Sequence, residues 1–565
     1  MSETSRYTLV LVLIVFLITA KAFAASPGSL DPTFGVAGKL ARDFPSGIFI
    51  DGAAIQADGK ILLVGSLQNG STRDFVVLRM LADGSPDAAF GSGGTVTTDF
   101  QGRFDDASDV ALQTDGKIVV VGSSSVNGFS DIAAARYLPN GSLDTSFDGD
   151  GKFILTMFPG QVGDFLRTVA IQPDGKIVAC GGADSSVVLM RLNIDGSLDA
   201  QFDSDGVAVT TIGTGGSKFQ ELAVLPDGRL VAAGSNGGSC IAARYNSNGT
   251  LDTSFAALGR FIAGTGFFTQ CIGMAVQADG KYVLAGQASP GNQYDSFIMR
   301  LNVDGTLDAS FNSNGYAVKN VNPAGADWFT DIQVQSDGKL LAVGAGGGFP
   351  IYDFTVGRFA TSGAFDTTFG GGGLLTADIT GNDSATVCLI YGDKLLVVGD
   401  NGGDGSSSQG IRAARFNLTV TPSASSDFDG DGTADHAVFR PQTGTWYVLR
   451  SSDGSFSAFQ FGLSGDTPID GDFDGDGRTD AAIFRPSDGR WWFASSRDGT
   501  VSNMAFGLGG DEPVAGDYDK DGKSDLAVWR PSNGTWYVLR SSSNYTSFYS
   551  FPFGQNGDIP IGSAP

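Results

Sequence analysis

The chemistry in this chain concentrates in three aspartate-rich stretches of its C-terminal quarter. The first is Asp427-Phe-Asp-Gly-Asp-Gly-Thr-Ala-Asp435. It returns as Asp472-Phe-Asp-Gly-Asp-Gly-Arg-Thr-Asp480 and as Asp517-Tyr-Asp-Lys-Asp-Gly-Lys-Ser-Asp525, with a spacing of 45 residues each time. The pattern gathers four carboxylates per copy: Asp427, Asp429, Asp431 and Asp435; Asp472, Asp474, Asp476 and Asp480; Asp517, Asp519, Asp521 and Asp525. A hard cation such as Ca2+ takes roughly six to eight oxygens, and aspartate is short enough to supply them from a tight turn. Glycine at the sixth position permits the bend, and the carbonyl of the seventh residue (Thr433, Arg478 or Lys523) adds a neutral oxygen. Calcium is the expected cofactor. Without a cation the carboxylates repel one another, so metal-free loops are expected to be loose. The competing reading is a solvated acidic turn that holds nothing; three copies of the full set in one chain favour the cation. Lys520 and Lys523 offset charge in the third loop, which is expected to bind most weakly. Affinities should fall in the range of extracellular modules, about 10⁻⁴ to 10⁻³ M.

Other chemistry is sparse. An EF-hand would need a glutamate at position 12 and flanking helices, but Val438, Ile483 and Val528 stand there in strand-like runs. His436 is the only histidine, so a Ser-His-Asp or Cys-His device would have to be built on it. Gly516 to Ser524 only superficially matches a phosphate-binding loop, being one residue too long and full of aspartate. Paired carboxylates for glycoside hydrolysis stay open, because geometry decides them. Trp446-Tyr447, Trp491-Trp492 and Trp536-Tyr537 place aromatics on both faces of strands. Burial between stacked sheets is the plain reading of these rings, and sugar stacking the sharper one.

The elements that must position these loops follow from composition and repeats. With 82 Gly and only 17% charged residues among 565, the chain suits short strands and tight turns. Its 61 acidic against 36 basic residues leave a formal net charge of -25, which repels nucleic acid and attracts cations. Residues 1–24 read as a signal peptide: Arg6, the apolar run Leu9 to Ile18, and Ala22-Phe23-Ala24 as a cleavage site. The run is short for a membrane span, so a secreted or extracytoplasmic, cell-surface setting is expected, with no membrane span in the mature chain; an uncleaved anchor is the competing reading. Cys180, Cys240, Cys271 and Cys388 form no CxxC pair. One disulfide can be drawn, Cys240 to Cys271 being the least distant pair, but buried thiols packing as small hydrophobes are the favoured expectation.

A phrase of the type Gln56-Ala-Asp-Gly-Lys-Ile-Leu-Leu-Val-Gly65 recurs from Gln113, Gln172, Leu225, Gln277 and Gln335, with a degenerate copy from Tyr391 to Gly399. Each Asp-Gly between apolar runs predicts a two-residue hairpin turn with positive φ at both central residues. A third run, a second turn, a phrase like Gly-Ser-Leu-Asp-x-x-Phe and a short fourth run complete each repeat: four strands, the content of a propeller blade. The first copy supplies only a fourth strand, Leu40 to Phe44, and the last stops after its third, Ile411 to Phe416. Pairing the two would remove both exposed edges. The expected fold is therefore all-β: a seven-bladed β-propeller with strand-exchange closure over residues 28–418, a linker at 419–426, and a smaller β-repeat module over 427–565. An Arg closing each third strand (Arg79, Arg136, Arg191, Arg244, Arg300, Arg358, Arg415) and an Asp in each following phrase (Asp87, Asp144, Asp199, Asp252, Asp308, Asp366, with Asp31) are expected to bridge, locking each connection to its own blade.

These N-terminal phrases resemble the delta-60 repeat of exported bacterial proteins, which implies the repeat count and an extracytoplasmic setting. The aspartate loops, together with Phe461-Gly462 and Gly471-Asp472, resemble the FG-GAP repeat of integrin α-chain propellers, grouped with VCBS-type repeats of bacterial surface proteins. The departures are Gly465-Asp466-x-Pro468, Gly510-Asp511-x-Pro513 and Gly557-Asp558-x-Pro560, and Arg-Pro pairs at Arg440, Arg485 and Arg530 where that family has Gly-Ala-Pro. Three copies are too few for an ordinary closed propeller; an incomplete ring, a stacked sheet and one part of an oligomer all fit. The function expected from these features is an exported, non-catalytic binding or adhesion protein with calcium-stabilised C-terminal repeats, contacting carbohydrate or a surface or matrix protein and no nucleic acid. The alternatives are a carbohydrate-active enzyme (glycosidase or lyase) on a propeller scaffold and a structural cell-envelope scaffold.

Overall fold

Short apolar runs broken by glycine turns satisfy their backbone by pairing as antiparallel strands, and then bury their faces by stacking. The computed structural model describes residues 27–100, 104–126, 128–158, 163–291, 293–321, 325–348, 351–401, 410–418, 426–519, 521–555, 558 and 560. The expected signal peptide, Lys520 and all of the linker but Ser426 lie outside these residues. The chain divides into two units, one of residues 27–419 and one from Val420 onward. Among the described residues no helix is long and apolar enough to cross a membrane.

The first unit makes seven four-stranded antiparallel sheets. Their first strands are Ile48–Ile55, Asp105–Leu112, Phe165–Ile171, Ser217–Val224, Phe268–Val276, Trp328–Val334 and Ser384–Tyr391, and the sheets are numbered as blades one to seven in that order. Seven apolar clusters join successive blades; one of them packs Ile50 and Leu63 of blade one against Val398 and Ile411 of blade seven. Every blade thus has two neighbours, and the ring closes as a β-propeller. The fourth strand of blade seven is Lys39–Asp43, paired with Gly410–Asn417 in the register Leu40↔Ala413. The N–H of Gly28 donates to the carbonyl of Asn417 at 2.8 Å and lengthens that seam.

The Asp-Gly turns differ from expectation. Only the glycine takes positive φ, as at Gly59 (φ 81°), and Asp58 does not. The Gln56 N–H reaches the Lys60 carbonyl at 2.8 Å, and the Asp58 carboxylate accepts the Lys60 N–H at 3.3 Å. The loop is therefore one residue longer than a two-residue hairpin, and the aspartate serves as an acceptor.

The seven Arg–Asp pairs are present, from Arg79–Asp87 at 2.8 Å to Arg415–Asp31 at 2.7 Å. Each arginine uses Nε on a single carboxylate oxygen, and Nη1 donates to a carbonyl of the next blade: Arg79 to Pro139 and so on around to Arg415 to Ala82. The expected lock of each connection to its own blade is present, and the same arginine also fastens the next blade. Cys240 and Cys271, favoured as buried thiols, are instead joined by a disulfide with Cα atoms 5.0 Å apart. Stacked neighbouring blades bring them within bonding reach despite 31 residues of separation. Cys180 and Cys388 are buried thiols.

The second unit holds three sheets. The first has three strands, His436–Arg440, Thr445–Leu449 and Phe456–Gln460. The second has Thr467–Gly471, Asp480–Arg485, Arg490–Ala494 and Val501–Ala505, and the third Glu512–Pro513, Leu526–Arg530, Thr535–Leu539 and Phe548–Pro552. Trp446, Trp491 and Trp536 are buried, while Tyr447, Trp492 and Tyr537 lie under Arg440, Arg485 and Arg530 at 4.5, 5.5 and 4.4 Å.

Candidate metal centres

Each aspartate loop enters the first or second strand of its sheet, so its last carboxylate is fixed by the strand and its first by the loop's own backbone. Asp427 accepts the N–H groups of Gly430 (2.7 Å) and Gly432 (2.9 Å). Asp472 does the same for Gly475 and Gly477 at 2.6 Å each, and Asp517 accepts the Gly522 N–H at 3.0 Å. The closing aspartates reach back: Asp435, Asp480 and Asp525 accept the N–H groups of Phe428, Phe473 and Tyr518 at 2.8–2.9 Å. These backbone donors hold the first and last carboxylates of each loop in place.

The strand-to-strand turn of each sheet covers its loop with serines that the sequence reading did not single out. The backbone N–H groups of Ser451, Ser496 and Ser541 donate to Asp435, Asp480 and Asp525 at 2.6–2.7 Å. Their hydroxyls donate to Asp431, Asp476 and Asp521 at 2.9–3.0 Å. Ser452, Ser495 and Ser542 bond Asp429, Asp474 and Asp519. The signal was available, since Ser451, Ser496 and Ser541 recur at the 45-residue period. Successive loops are also joined, with the Thr479 N–H on the Asp427 carbonyl and the Ser524 N–H on the Asp472 carbonyl, both at 2.6 Å. The Arg478 side chain reaches the Phe428 carbonyl at 3.0 Å.

Carboxylate oxygens of Asp427, Asp429 and Asp435 lie within 4.8 Å of one another, as do those of Asp472, Asp474 and Asp480 and those of Asp517, Asp519 and Asp521. Asp431, Asp476 and Asp525 stand outside these triads, engaged by the serines and backbone named above. Burial first, and neighbouring carboxylates second, raise Asp427, and push Asp472 up to about 6 and Asp480 up to about 7. An all-oxygen set whose charges repel each other in a half-buried loop suits a hard divalent cation, which would offset that repulsion.

A second place breaks the repeat pattern. Each first strand carries a β-bulge, at Asp51, Ser108, Arg167, Gln220, Ile272, Thr330 and Thr386 in turn. These seven positions share a backbone shape and share almost no chemistry. Beside four of them opens a polar cavity of about 370 Å³, lined by Asp51, Ser108, Arg167 and Thr386 with Arg73 and Asp106. Asp51 keeps water contact there, yet the mass of the ring around it pushes its carboxyl up to about 7; Arg167 opposes that rise, and Asp400 and Asp106 add to it.

Comparison with known families finds two kinds of repeat. A domain of unknown function described as a β-propeller, DUF5122, matches residues 56–90, 113–147, 172–202, 225–255, 277–311 and 335–369. An FG-GAP-like repeat matches residues 472–528. No curated protein matches the chain. Among solved structures, a catalytically inactive virginiamycin B lyase from Staphylococcus aureus with quinupristin is similar at 11% identity, covering 67% of this chain and 98% of the other with a TM-score of 0.41. YCF48 from Cyanidioschyzon merolae is similar at 13% identity, covering 67% and 99% with a TM-score of 0.39. The polysaccharide lyase Uly1 is similar at 12% identity, covering 71% and 98% with a TM-score of 0.40.

Proposed function

We propose that this chain, carrying DUF5122 propeller repeats and FG-GAP-like repeats, is an exported, non-catalytic binding protein whose C-terminal repeats are stabilised by Ca2+ and contact carbohydrate on a surface or in a matrix. The observation that carries the reading is the threefold gathering of aspartate oxygens within 4.8 Å, each set closed over by serines from its own sheet. Export is supported by the signal-like residues 1–24 and by the Cys240–Cys271 disulfide. The carbohydrate preference is supported by rings on the outer strands of this unit, where Phe548 (58%) and Phe553 (72%) stand exposed beside Tyr549 and Phe551.

Calcium titration of the full chain by calorimetry, paired with glycan arrays in calcium and in EDTA, tests this reading. The expected result is up to three sites with Kd of about 10⁻⁴ to 10⁻³ M, one of them lost in Asp480→Asn, and glycan binding that EDTA weakens. No heat of binding and identical arrays in both buffers would overturn it.

The polar cavity supports a second reading, a carbohydrate-active enzyme. Asp51, with its raised pKa beside Asp106 and Arg167, is the group it would use as a proton donor. Turnover on a polysaccharide panel, abolished by Asp51→Asn, would displace the first reading.

A further inference from the structure

Among the described residues the second unit leaves one strand edge uncovered, and a sequence motif near residue 558 complements it. In the second and third sheets, the strand that follows the aspartate loop is covered by a strand from the Gly-Asp-x-Pro segment before it: Pro468 pairs with Ile483, and Pro513 with Val528. Ile483 and Val528 are each 1% exposed, packed against the preceding sheet: Ile483 with Trp446 and Phe439, Val528 with Phe484 and Trp491. The same position in the first sheet is Val438, on the edge strand His436–Arg440, and it is 65% exposed. The ion pairs show the same gap. Arg485 grips Asp466 through two bonds of 2.8 Å, and Arg530 grips Asp511 through bonds of 2.7 and 2.8 Å. Arg440, their counterpart, meets no carboxylate among the described residues and rests on Tyr447.

The missing parts recur at the other end. Gly557-Asp558-Ile559-Pro560-Ile561-Gly562 repeats the pattern of Gly465-Asp466-Thr467-Pro468-Ile469-Asp470-Gly471. Asp558 already holds the turn of its counterparts: it accepts the Gln555 N–H at 2.9 Å, as Asp466 accepts that of Leu463 at 2.8 Å and Asp511 that of Leu508 at 2.9 Å. No arginine among the described residues meets it.

We infer that the segment beginning at Asp558 of one copy of this chain docks beside His436–Arg440 of a second copy, with Asp558 on Arg440 and the segment's backbone completing the three-stranded sheet. An exposed strand edge is a template for such pairing, and bidentate Arg–carboxylate geometry sets its register. The three sheets among the described residues are fewer than the roughly four to eight blades of closed propellers, and two copies supply six of them. Two identical head-to-tail contacts therefore close a dimer and leave neither edge open. This inference depends on neither calcium nor a glycan ligand.

Sedimentation of the full chain across a concentration series, in calcium buffer, tests it. The expected result is a concentration-dependent dimer that becomes a monomer in Val438→Lys, in Arg440→Asp and in Asp558→Arg. Val438 is exposed, so the Tm of its variant measured at low concentration should match that of the unaltered chain. The double variant carrying Arg440→Asp and Asp558→Arg should dimerise again, because the pair is restored with its charges exchanged. A chain that stays monomeric throughout, or a dimer indifferent to all three substitutions, would overturn the inference. So would a monomer whose Ala437 amide, which faces the open edge as Ala527 faces Val514, is protected from hydrogen exchange, since the segment would then fold back within its own chain.

Discussion

Arg136 meets four groups at once. Its Nε donates to Asp144 at 2.7 Å, Nη1 to the Ile194 carbonyl of the next blade and Nη2 to the Ser146 hydroxyl at 3.1 Å, while the guanidinium lies 4.8 Å from the Phe147 ring centre. Arg136→Met keeps the apolar stem but strands the Ile194 carbonyl and leaves Asp144 with Lys117 at 3.2 Å as its only ion pair. Breaking a buried pair costs about 3–5 kcal/mol, so the urea midpoint of this variant should fall by that equivalent. Arg136→Lys should recover less than half, because one ammonium cannot span the three donor directions. Burial alone would raise Asp144, but hydrogen bonds from Ser146 and Lys117 and the charge of Arg136 hold it down at about 2. A lowered folded pKa gives stability that is complete above the ordinary carboxylate range and lost only as pH falls through about 2. Asp109, pushed up to about 6 by burial, acts in the opposite sense and costs stability as pH rises through that value. Melting scans of the full chain in EDTA should therefore show the Tm rising from pH 8 to about 5 and holding down to about 3; a steady decline below pH 7 would contradict this balance. The Arg and Asp are legible in the sequence because side chains repeat. The carbonyl of the next blade is not, because a backbone acceptor leaves no letter.

Each blade's shape depends on a small residue closing the phrase that opens with Asp-Gly. The first strand bulges, at Gln220 in blade four for instance, and throws a carbonyl toward the second strand. A Cβ on Gly234 would sit 2.1 Å from the Lys218 carbonyl oxygen, and one on Gly65 1.9 Å from that of Phe49; the same clash recurs at Gly122, Gly181, Gly286, Gly344 and Gly399. Glycine is needed here for close approach, which is why the phrase ends in it seven times. Gly234→Ala must flatten the bulge or part the two strands. It should lower stability by about 2–3 kcal/mol, read in urea unfolding, whereas Gly237→Ala in the turn beyond, which meets only contacts of 3.6 Å or longer, should cost less than half as much despite its positive φ. Gly234→Ala behaving like the unaltered chain would show that the bulge is not fixed by packing. Strand count and blade content are legible because Asp-Gly and apolar alternation mark every turn. The turn geometry is not, since a one-residue difference in loop length leaves the same letters. The aspartates of the metal loops are equally plain, but their serine covers are not, because Ser451 lies 16 residues from Asp435 and serine is common in any loop.

Ring closure is the one feature of the whole molecule that the sequence carries outright, because it appears as an offset: a fourth strand with no first three, and a last repeat without its fourth. The seam it makes is more than a strand pair. Besides the register Leu40↔Ala413, Asp31 holds Arg415 at 2.7 Å, the Phe34 ring lies 5.0 Å beneath the same guanidinium, and Asn417 bonds the Ser29 hydroxyl at 2.9 Å. Phe34 is fully buried in the cluster that joins blades seven and one. Removing residues 1–44 would take away that ring, the charge partner of Arg415 and one side of the Gly410–Asn417 ladder, while leaving the other six blades complete. Burial of one phenylalanine contributes about 1.5–3 kcal/mol, and a stranded arginine adds a loss of about the same size. A total near 5 kcal/mol, at about 2–4 °C per kcal/mol for a large domain, corresponds to a Tm lower by roughly 10–20 °C. An open edge beside blade seven should also make the truncated chain aggregate on heating. Removing residues 1–26 alone is the control and should change neither property. If the chain cut at residue 44 melts with the control, the seven blades hold their ring by face packing alone, and the exchanged strand is a decoration of it.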